Sequence, residues 1–531
     1  MQNSGLYHEW QPGARSCLDS REQILGKPLC VFVTLIAVCL GGPTVSPGES
    51  PPVRPNIVFI LVDDMGYGDL SCTGNKDVKT PHIDRLVAEG VRVAQFYVNS
   101  PICSPSRVAF TTGQYPARHL IHSYLDSRER NRARGMRDFL DPEVPCVARA
   151  FREGGYATAH FGKWHMGGGR DVDDAPLPQA YGFQESLVSF EGLGDRVLPP
   201  GRLSDQSERL GQGTISRAAK HQLTEIYVNR AIDFIKENED RPFYLHLWLN
   251  DVHDPHEPRE SLVAKYERFK DNPFQQRFCA VLDEMDGQIG RLVAAIDSLG
   301  LAQRTLIVLT SDNGPTAWPS YYRRGYDPPG STAGFRGRKW SLYEGGIRMP
   351  MIARWKGTIP AGKVVRQTVL AAVDVFPTFA KLAGIETPPV DFDGEDLSGA
   401  FLGDEPVRAT PIFWEYGRDG TYLQPGKPTD RSPSLAIREG QWKLLMDRDG
   451  SRLELYDLSQ DASESNNVAG RYPDIAQRLA KRLLIWRKSL PSLSEQDPTR
   501  REPATTRPVG NEDTAPVPAT DVAVEASRRA S

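Results

Sequence analysis

The chain has 531 residues, 39% of them hydrophobic, and 64 basic against 68 acidic side chains give a formal net charge of −4. That length allows about two to four domains. The near balance of charge excludes a nucleic-acid binder driven by bulk charge, so any anionic ligand must be met by a local group of basic residues.

The first predicted element is "LCVFVTLIAVCLGG", an apolar run from Leu29 preceded by Arg21 and Lys27. At about 14 residues it is shorter than the ~20 needed to span a bilayer and suits a secretory signal core. Residues 1–45 are read as a signal-peptide region and the protein as exported, periplasmic or secreted. Ile36-Ala37-Val38-Cys39 only loosely resembles a lipoprotein cleavage box, so a lipid-anchored form is the lesser alternative. Seven cysteines are present; four (72, 103, 146 and 279) follow the leader, with no C-x-x-C pair. They make no zinc cluster and no disulfide framework, and leave room for one bridge at most.

Five apolar runs follow, each read as a strand buried on both faces. "NIVFILV" leads into Asp63-Asp64, "ATAHF" into Gly162-Lys163-Trp164-His165, "FYLHLWL" into Asn250-Asp251-Val252-His253, and "TLIVLT" into Ser311-Asp312-Asn313-Gly314; "MPMIARW" comes after Gly345-Gly346. Helical patterns lie between them, in "TPHIDRLVAEGV" and in "CAVLDEMDGQIGRLVAAIDSLGL". This alternation predicts an α/β domain over 46–400, with a large, mostly parallel central sheet flanked by helices. Ligands in such sheets bind beyond the carboxyl ends of the strands, where the polar residues fall. From about 401 to 490 the texture changes. Short alternating strands turn at Glu439-Gly440 and Asp449-Gly450, and "DIAQRLAKRLLIWRKSL" is an amphipathic helix. These predict a smaller α+β domain with an antiparallel sheet. Residues 491–531 are rich in Pro, Thr and Glu and are expected to be disordered.

The chemistry-bearing residues gather at these strand ends. One Asp there usually caps a turn. Asp63, Asp64 and Asp312 with the amide of Asn313 make a hard-oxygen set for Ca²⁺ or Mg²⁺, and three close carboxylates need a cation between them. Lys163, His165, His253, His256 and Lys339 would surround an anion with positive charge and proton donors. "CSPSR" places Pro105 in the first turn of a helix, Cys103 at its N-terminus and Arg107 a turn further on.

Taken together, these motifs resemble those of the formylglycine-dependent sulfatases, the arylsulfatase-like branch of the alkaline phosphatase superfamily, over roughly residues 54–490. The resemblance rests on "RPNIVFILVDDMGYGDL", "TPHIDRLVAEGV", "CSPSR", "GKWHMG", "SDNG", "GRKWSLYEGGIR" and "ELYDLSQDASESNN", in that order. It departs at "VAFTTG", where Thr111 stands in place of an apolar residue. The resemblance implies that Cys103 is oxidised before folding to Cα-formylglycine by a formylglycine-generating enzyme, and that the hydrated aldehyde attacks sulfur. It implies one Ca²⁺ held by Asp63, Asp64, Asp312, Asn313 and residue 103, with Arg107 orienting the nucleophile. Lys163 and Lys339 would bind sulfate oxygens, and His165 would assist the elimination of sulfate. His256 matches the leaving-group acid best, with His253 as the alternative.

Three rival readings remain: a phosphodiesterase or phosphonate monoester hydrolase on the same fold, a non-catalytic anion-binding relative, and a thiol enzyme using unmodified Cys103. Only the usual pair of lysines is present, which favours the singly charged sulfate ester over a doubly charged phosphate. The loops after residues 121, 166 and 314 are rich in Arg, Tyr and Trp. They favour a sulfated carbohydrate as substrate, since aromatics stack on sugar faces and arginines pair with neighbouring anions.

Overall fold

The computed structural model describes residues 54–418 and 420–492; the segment read as a signal peptide and residues from 493 onward lie outside the described residues. Among the described residues, fifteen strands form two sheets. The larger contains β1 (Asn56–Val62), β2 (Val91–Tyr97), β3 (Ala157–Lys163), β4 (Glu185–Ser189), β5 (Arg196–Leu198), β6 (Ile215–Arg217), β7 (Phe243–Leu249), β8 (Thr305–Ser311), β9 (Arg348–Arg354), β10 (Lys363–Val365) and the two-residue β11 (Leu370–Ala371). Its order is β10-β2-β9-β8-β1-β7-β3-β4-β5-β6, with β11 also on β2. The smaller is the antiparallel run β12 (Ile412–Glu415), β13 (Leu435–Glu439), β14 (Trp442–Met446) and β15 (Glu454–Asp457), with the helix Pro473–Ser489 packed on it.

The continuous apolar runs arise because the large sheet is covered on both faces. Along β1, Ile57, Phe59 and Leu61 point into one core with the wholly buried helix Cys103–Thr112. Val58, Ile60 and Val62 point into the other, with the helices Lys220–Glu237 and Pro273–Ser298. Strands β8, β1, β7 and β3 are adjacent and parallel, so all four carboxyl ends open on one edge. Strand β9 alone runs against its neighbours. Reversal brings the loop before β9, with Lys339 and Gly345-Gly346, to that same edge. The approach is close: a Cβ on Gly314 would lie 2.1 Å from the Gly345 carbonyl oxygen.

The small sheet shares the first core, where Leu435, Ile437 and Leu455 belong to the same buried group as Phe59 and Tyr97. Beneath the loop before β9, the fully buried Lys443 ammonium bridges Glu344 and Glu464 at 2.9 Å each. Cys72, Cys103, Cys146 and Cys279 are all free, so the optional bridge does not form among the described residues. No helix among the described residues is long and apolar enough to cross a membrane.

Candidate active site

Asp63 and Asp64 follow β1, Asp312 and Asn313 follow β8, Lys163 ends β3, and His253 lies four residues past β7. Cys103 opens the helix Cys103–Thr112, whose cap, Ile102, is extended and offers no side chain to the first N–H groups. These elements place one ligating atom each of Asp63, Asp64, Cys103 and His253 within 4.8 Å of one another. The Cys103 thiol faces Asp63 Oδ1 at 3.4 Å. Asp312 and Asn313 border this group: the Asp64 amide donates to Asp312 Oδ1 at 3.1 Å, and Asn313 Nδ2 donates to Asp64 Oδ1 at 2.7 Å.

Three cations answer the three carboxylates. Lys163 Nζ lies 2.6 Å from Asp63 Oδ2, and Lys339 Nζ 2.7 Å from Asp64. Arg107 is fully buried beneath; its Nη2 reaches Asp312 at 2.7 Å and Asp63 at 3.4 Å, its Nη1 donates to the Lys163 carbonyl at 3.0 Å, and its guanidinium lies over the Trp248 ring. Arg107 thus contacts the carboxylates rather than residue 103 directly. Burial pushes Asp63 up, but Lys163, His253, Arg107 and Lys339 together hold it well below the usual carboxylate range. Burial and the neighbouring Asp63 push Asp312 up, and Arg107 and Lys163 oppose the shift.

The residues fit a divalent cation. Asn313 Oδ1 is buried without a hydrogen-bond partner, although such atoms are costly to leave unpaired. Hard carboxylate and amide oxygens are the donors that Ca²⁺ or Mg²⁺ takes. Three carboxylates against three cations leave the shell neutral, and a divalent ion would turn it into an anion trap.

The two histidines after β7 part company. His253 Nδ1 donates to the Asp254 carbonyl at 2.7 Å, leaving Nε2 3.7 Å from Asp64 Oδ2 in a side chain that is 29% exposed. The Lys220 ammonium holds the His253 and Pro255 carbonyls from behind. His256 is turned away. Its Nε2 bonds the Val252 carbonyl at 2.9 Å, its Nδ1 faces Asp254 at 3.9 Å, and its ring packs on Phe278. His165 is buried beside Phe190 and Glu191. Burial pushes the Cys103 thiol up despite Lys163 and Lys339, which opposes a thiolate nucleophile.

The arginines offered by the surrounding loops are largely engaged inside the protein. Arg128 pairs with Asp138, Asp173 and Asp174, Arg170 with Glu191 and Asp126, and Arg338 donates to backbone carbonyls. Thr111 finds a partner in the Met166 sulfur at 3.5 Å.

The family profile "Sulfatase" matches residues 55–385, and the profile "N-sulphoglucosamine sulphohydrolase, C-terminal" matches 334–489. The chain is 32% identical over 474 residues to arylsulfatase A of Homo sapiens, covering 81% of this chain and 87% of that protein. It is 29% identical over 505 residues to the N-acetylgalactosamine-6-O-sulfatase of Bacteroides thetaiotaomicron, covering 81% and 92%. Among solved structures it resembles Ps i-CgsB in complex with k-i-k-neocarrahexaose, with a TM-score of 0.67 and 26% identity over 83% of this chain and 94% of that one.

Proposed function

Because the chain belongs to the sulfatase family and is a sulfuric ester hydrolase, we propose that it removes sulfate from a sulfated carbohydrate, using a hydrated formylglycine at position 103 and one Ca²⁺. The observation that carries this reading is the convergence of Asp63, Asp64, Cys103 and His253 within 4.8 Å on an edge where two lysine ammoniums rest on the carboxylates. Support for a carbohydrate comes from the relatives, whose names include an N-acetylgalactosamine-6-O-sulfatase and a complex with k-i-k-neocarrahexaose. An exported enzyme would meet such polysaccharides outside the cell.

Calcium, held by Asp63, Asp64, Asp312, Asn313 and residue 103, would supply fixed positive charge beside the sulfate oxygens. The formylglycine hydrate would supply the attacking oxygen, in the place where the Cys103 sulfur now lies. Lys163 and Lys339, 2.6 and 2.7 Å from their carboxylates, are positioned to swing onto sulfate oxygens and stabilise charge as the ester bond breaks. Arg107 stays beneath and neutralises Asp63 and Asp312. The Asp254 carbonyl fixes the proton on His253 Nδ1, so Nε2 is the atom that exchanges protons with the leaving oxygen. Burial and Lys339 lower His253 to about 4. A bound sulfate offsets the lysine, which lets His253 carry the proton it must donate. His165 takes a proton from residue 103 in the second half-reaction.

A screen of sulfate release from defined sulfated oligosaccharides, nitrophenyl sulfate and a phenyl phosphonate ester tests the substrate class. The protein would be co-produced with a formylglycine-generating enzyme. At least one sulfated sugar is expected to exceed both small esters in kcat/KM. Preference for the aryl sulfate would remove the carbohydrate, and preference for the phosphonate would favour the rival ester. The metal is tested by melting. After chelation, Ca²⁺ at about a hundredfold excess over its Kd should restore about 2.7 kcal/mol of stability. No shift in a protein that still turns over would show that no cation is held.

A further inference from the structure

Glu191 lies two residues past β4, in a stretch with no motif to single it out. Its carboxylate is buried, with Oε1 accepting from Arg170 Nε at 2.7 Å and Oε2 3.6 Å from His165 Nε2. Neither ring nitrogen of His165 has a hydrogen-bond partner, although the ring is buried. At 3.6 Å the contact is an ion-pair distance, and catalytic hydrogen bonds are often long before substrate binds.

The backbone around this contact is unusual. His165, Arg170 and Glu191 all take left-handed conformations, with φ of 52°, 59° and 54°. Non-glycine residues seldom do so, and such strain gathers at functional sites. The space is also reserved: a Cβ on Gly169 would lie 2.5 Å from Glu191 Cγ. A purely structural Arg170–Glu191 pair would account for Oε1. It would not account for the second oxygen aimed at an otherwise unpartnered imidazole.

We propose that Glu191, held by Arg170, is the positioning residue for His165: it fixes the ring with Nε2 toward its carboxylate and stabilises the imidazolium formed when the other nitrogen accepts a proton from residue 103. The inference rests on the reading of His165 as that proton acceptor. In this step the imidazole takes the proton of the remaining hydroxyl, that oxygen closes to the aldehyde C=O, the C–O bond to sulfate breaks and sulfate leaves with the electron pair, so nothing is oxidised. The carboxylate has an opposing field to overcome. Burial, then Lys163 and Arg107, depress the proton affinity of His165, Arg170 adds to them, and Asp63 opposes them. Glu191 is the acid that meets the ring from the β4 side.

The sign of the effect follows. Without the carboxylate the imidazole is a weaker base, so the acid limb of the kcat profile moves to lower pH and its plateau falls. In Glu191→Gln, kcat on nitrophenyl sulfate is expected to drop roughly 10–100-fold, the range for partners that orient a site residue. KM should change by less than about twofold, since ground-state binding is untouched. In a His165→Ala background the same substitution should cost nothing further, because it acts through the ring. Conversion of residue 103 is measured by mass in every variant. If Glu191→Gln does not fold, Arg170→Gln, which releases the carboxylate from its holder, should lower kcat with KM unchanged and cost nothing further in the His165→Ala background. An unmoved profile, a change in KM alone, or an equal loss in the His165→Ala background overturns the inference while leaving the wild type an active, converted sulfatase. A wild type that carries no aldehyde at residue 103 overturns the underlying reading, and this inference with it.

Discussion

Cys103→Ala is expected to abolish sulfate release, by on the order of 10⁴-fold or more, while the protein keeps its fold. Loss of a nucleophile that acts as part of a unit costs nearly the whole of the chemical step, and what remains is binding. The fold should survive because the thiol forms one 3.4 Å contact with Asp63 and is otherwise an apolar filler at a helix start. Burial already holds this thiol protonated, so an unconverted wild type should be nearly as inactive as the variant. Conversion should make the peptide around residue 103 about 18 Da lighter, the difference between a thiol and an aldehyde side chain. Activity should rise in proportion to the converted fraction. Full activity in Cys103→Ala, or activity indifferent to that fraction, would remove the nucleophile assignment.

The second large effect is expected at His253. A sugar alkoxide leaves poorly and needs a proton in the transition state, whereas nitrophenolate leaves well without one. His253→Ala should lose roughly 10²–10⁴-fold on a sugar sulfate, the range of general acid catalysis, and far less on nitrophenyl sulfate. His256→Ala should show no such leaving-group dependence. Its ring nitrogens face Val252 and Asp254, so its loss should loosen the loop and affect both substrates alike. The opposite pattern would return the role to His256. Equal losses at His253 on both substrates would mean that it binds sulfate and protonates nothing.

Sequence patterns conveyed the large sheet because its central strands are buried on both faces. Val58 and Phe59 are both in core, on opposite sides, so β1 reads as an unbroken apolar run. Strand β2 lacks that signal: Arg92, Ala94 and Gln95 are only partly covered, and the pattern blurs. Strands β5, β6, β10 and β11 have two or three residues, too few for any period to show. The reversed direction of β9 is silent in sequence, since side chains alternate identically in parallel and antiparallel strands. The carboxylates and lysines were legible because each sits directly at a strand end or in a glycine-rich loop. The choice between His253 and His256 was not. Both lie in a loop without periodicity, and only the fold shows which ring turns toward Asp64. Glu191 had no local signal at all, because its meaning comes from His165 and Arg170, 26 and 21 residues earlier in the chain.

The burial of Arg107 against Asp312 has a consequence in time. These residues are 205 positions apart. At ~5–20 residues per second of synthesis, roughly 10–40 s separate their emergence. During that interval the segment around Cys103 has no β8 to pack on, and the thiol stays open to a modifying enzyme. Once β8 inserts beside β1, Cys103 is only 2% exposed and the opportunity closes. With residue 103 converted as proposed, the yield of active enzyme would be set by a race between elongation and oxidation. Chains made faster than the modifying enzyme can visit them should fold and bind their cation, yet stay inert for good. Slowing the ribosome between codons 107 and 312 should raise specific activity without altering a single residue.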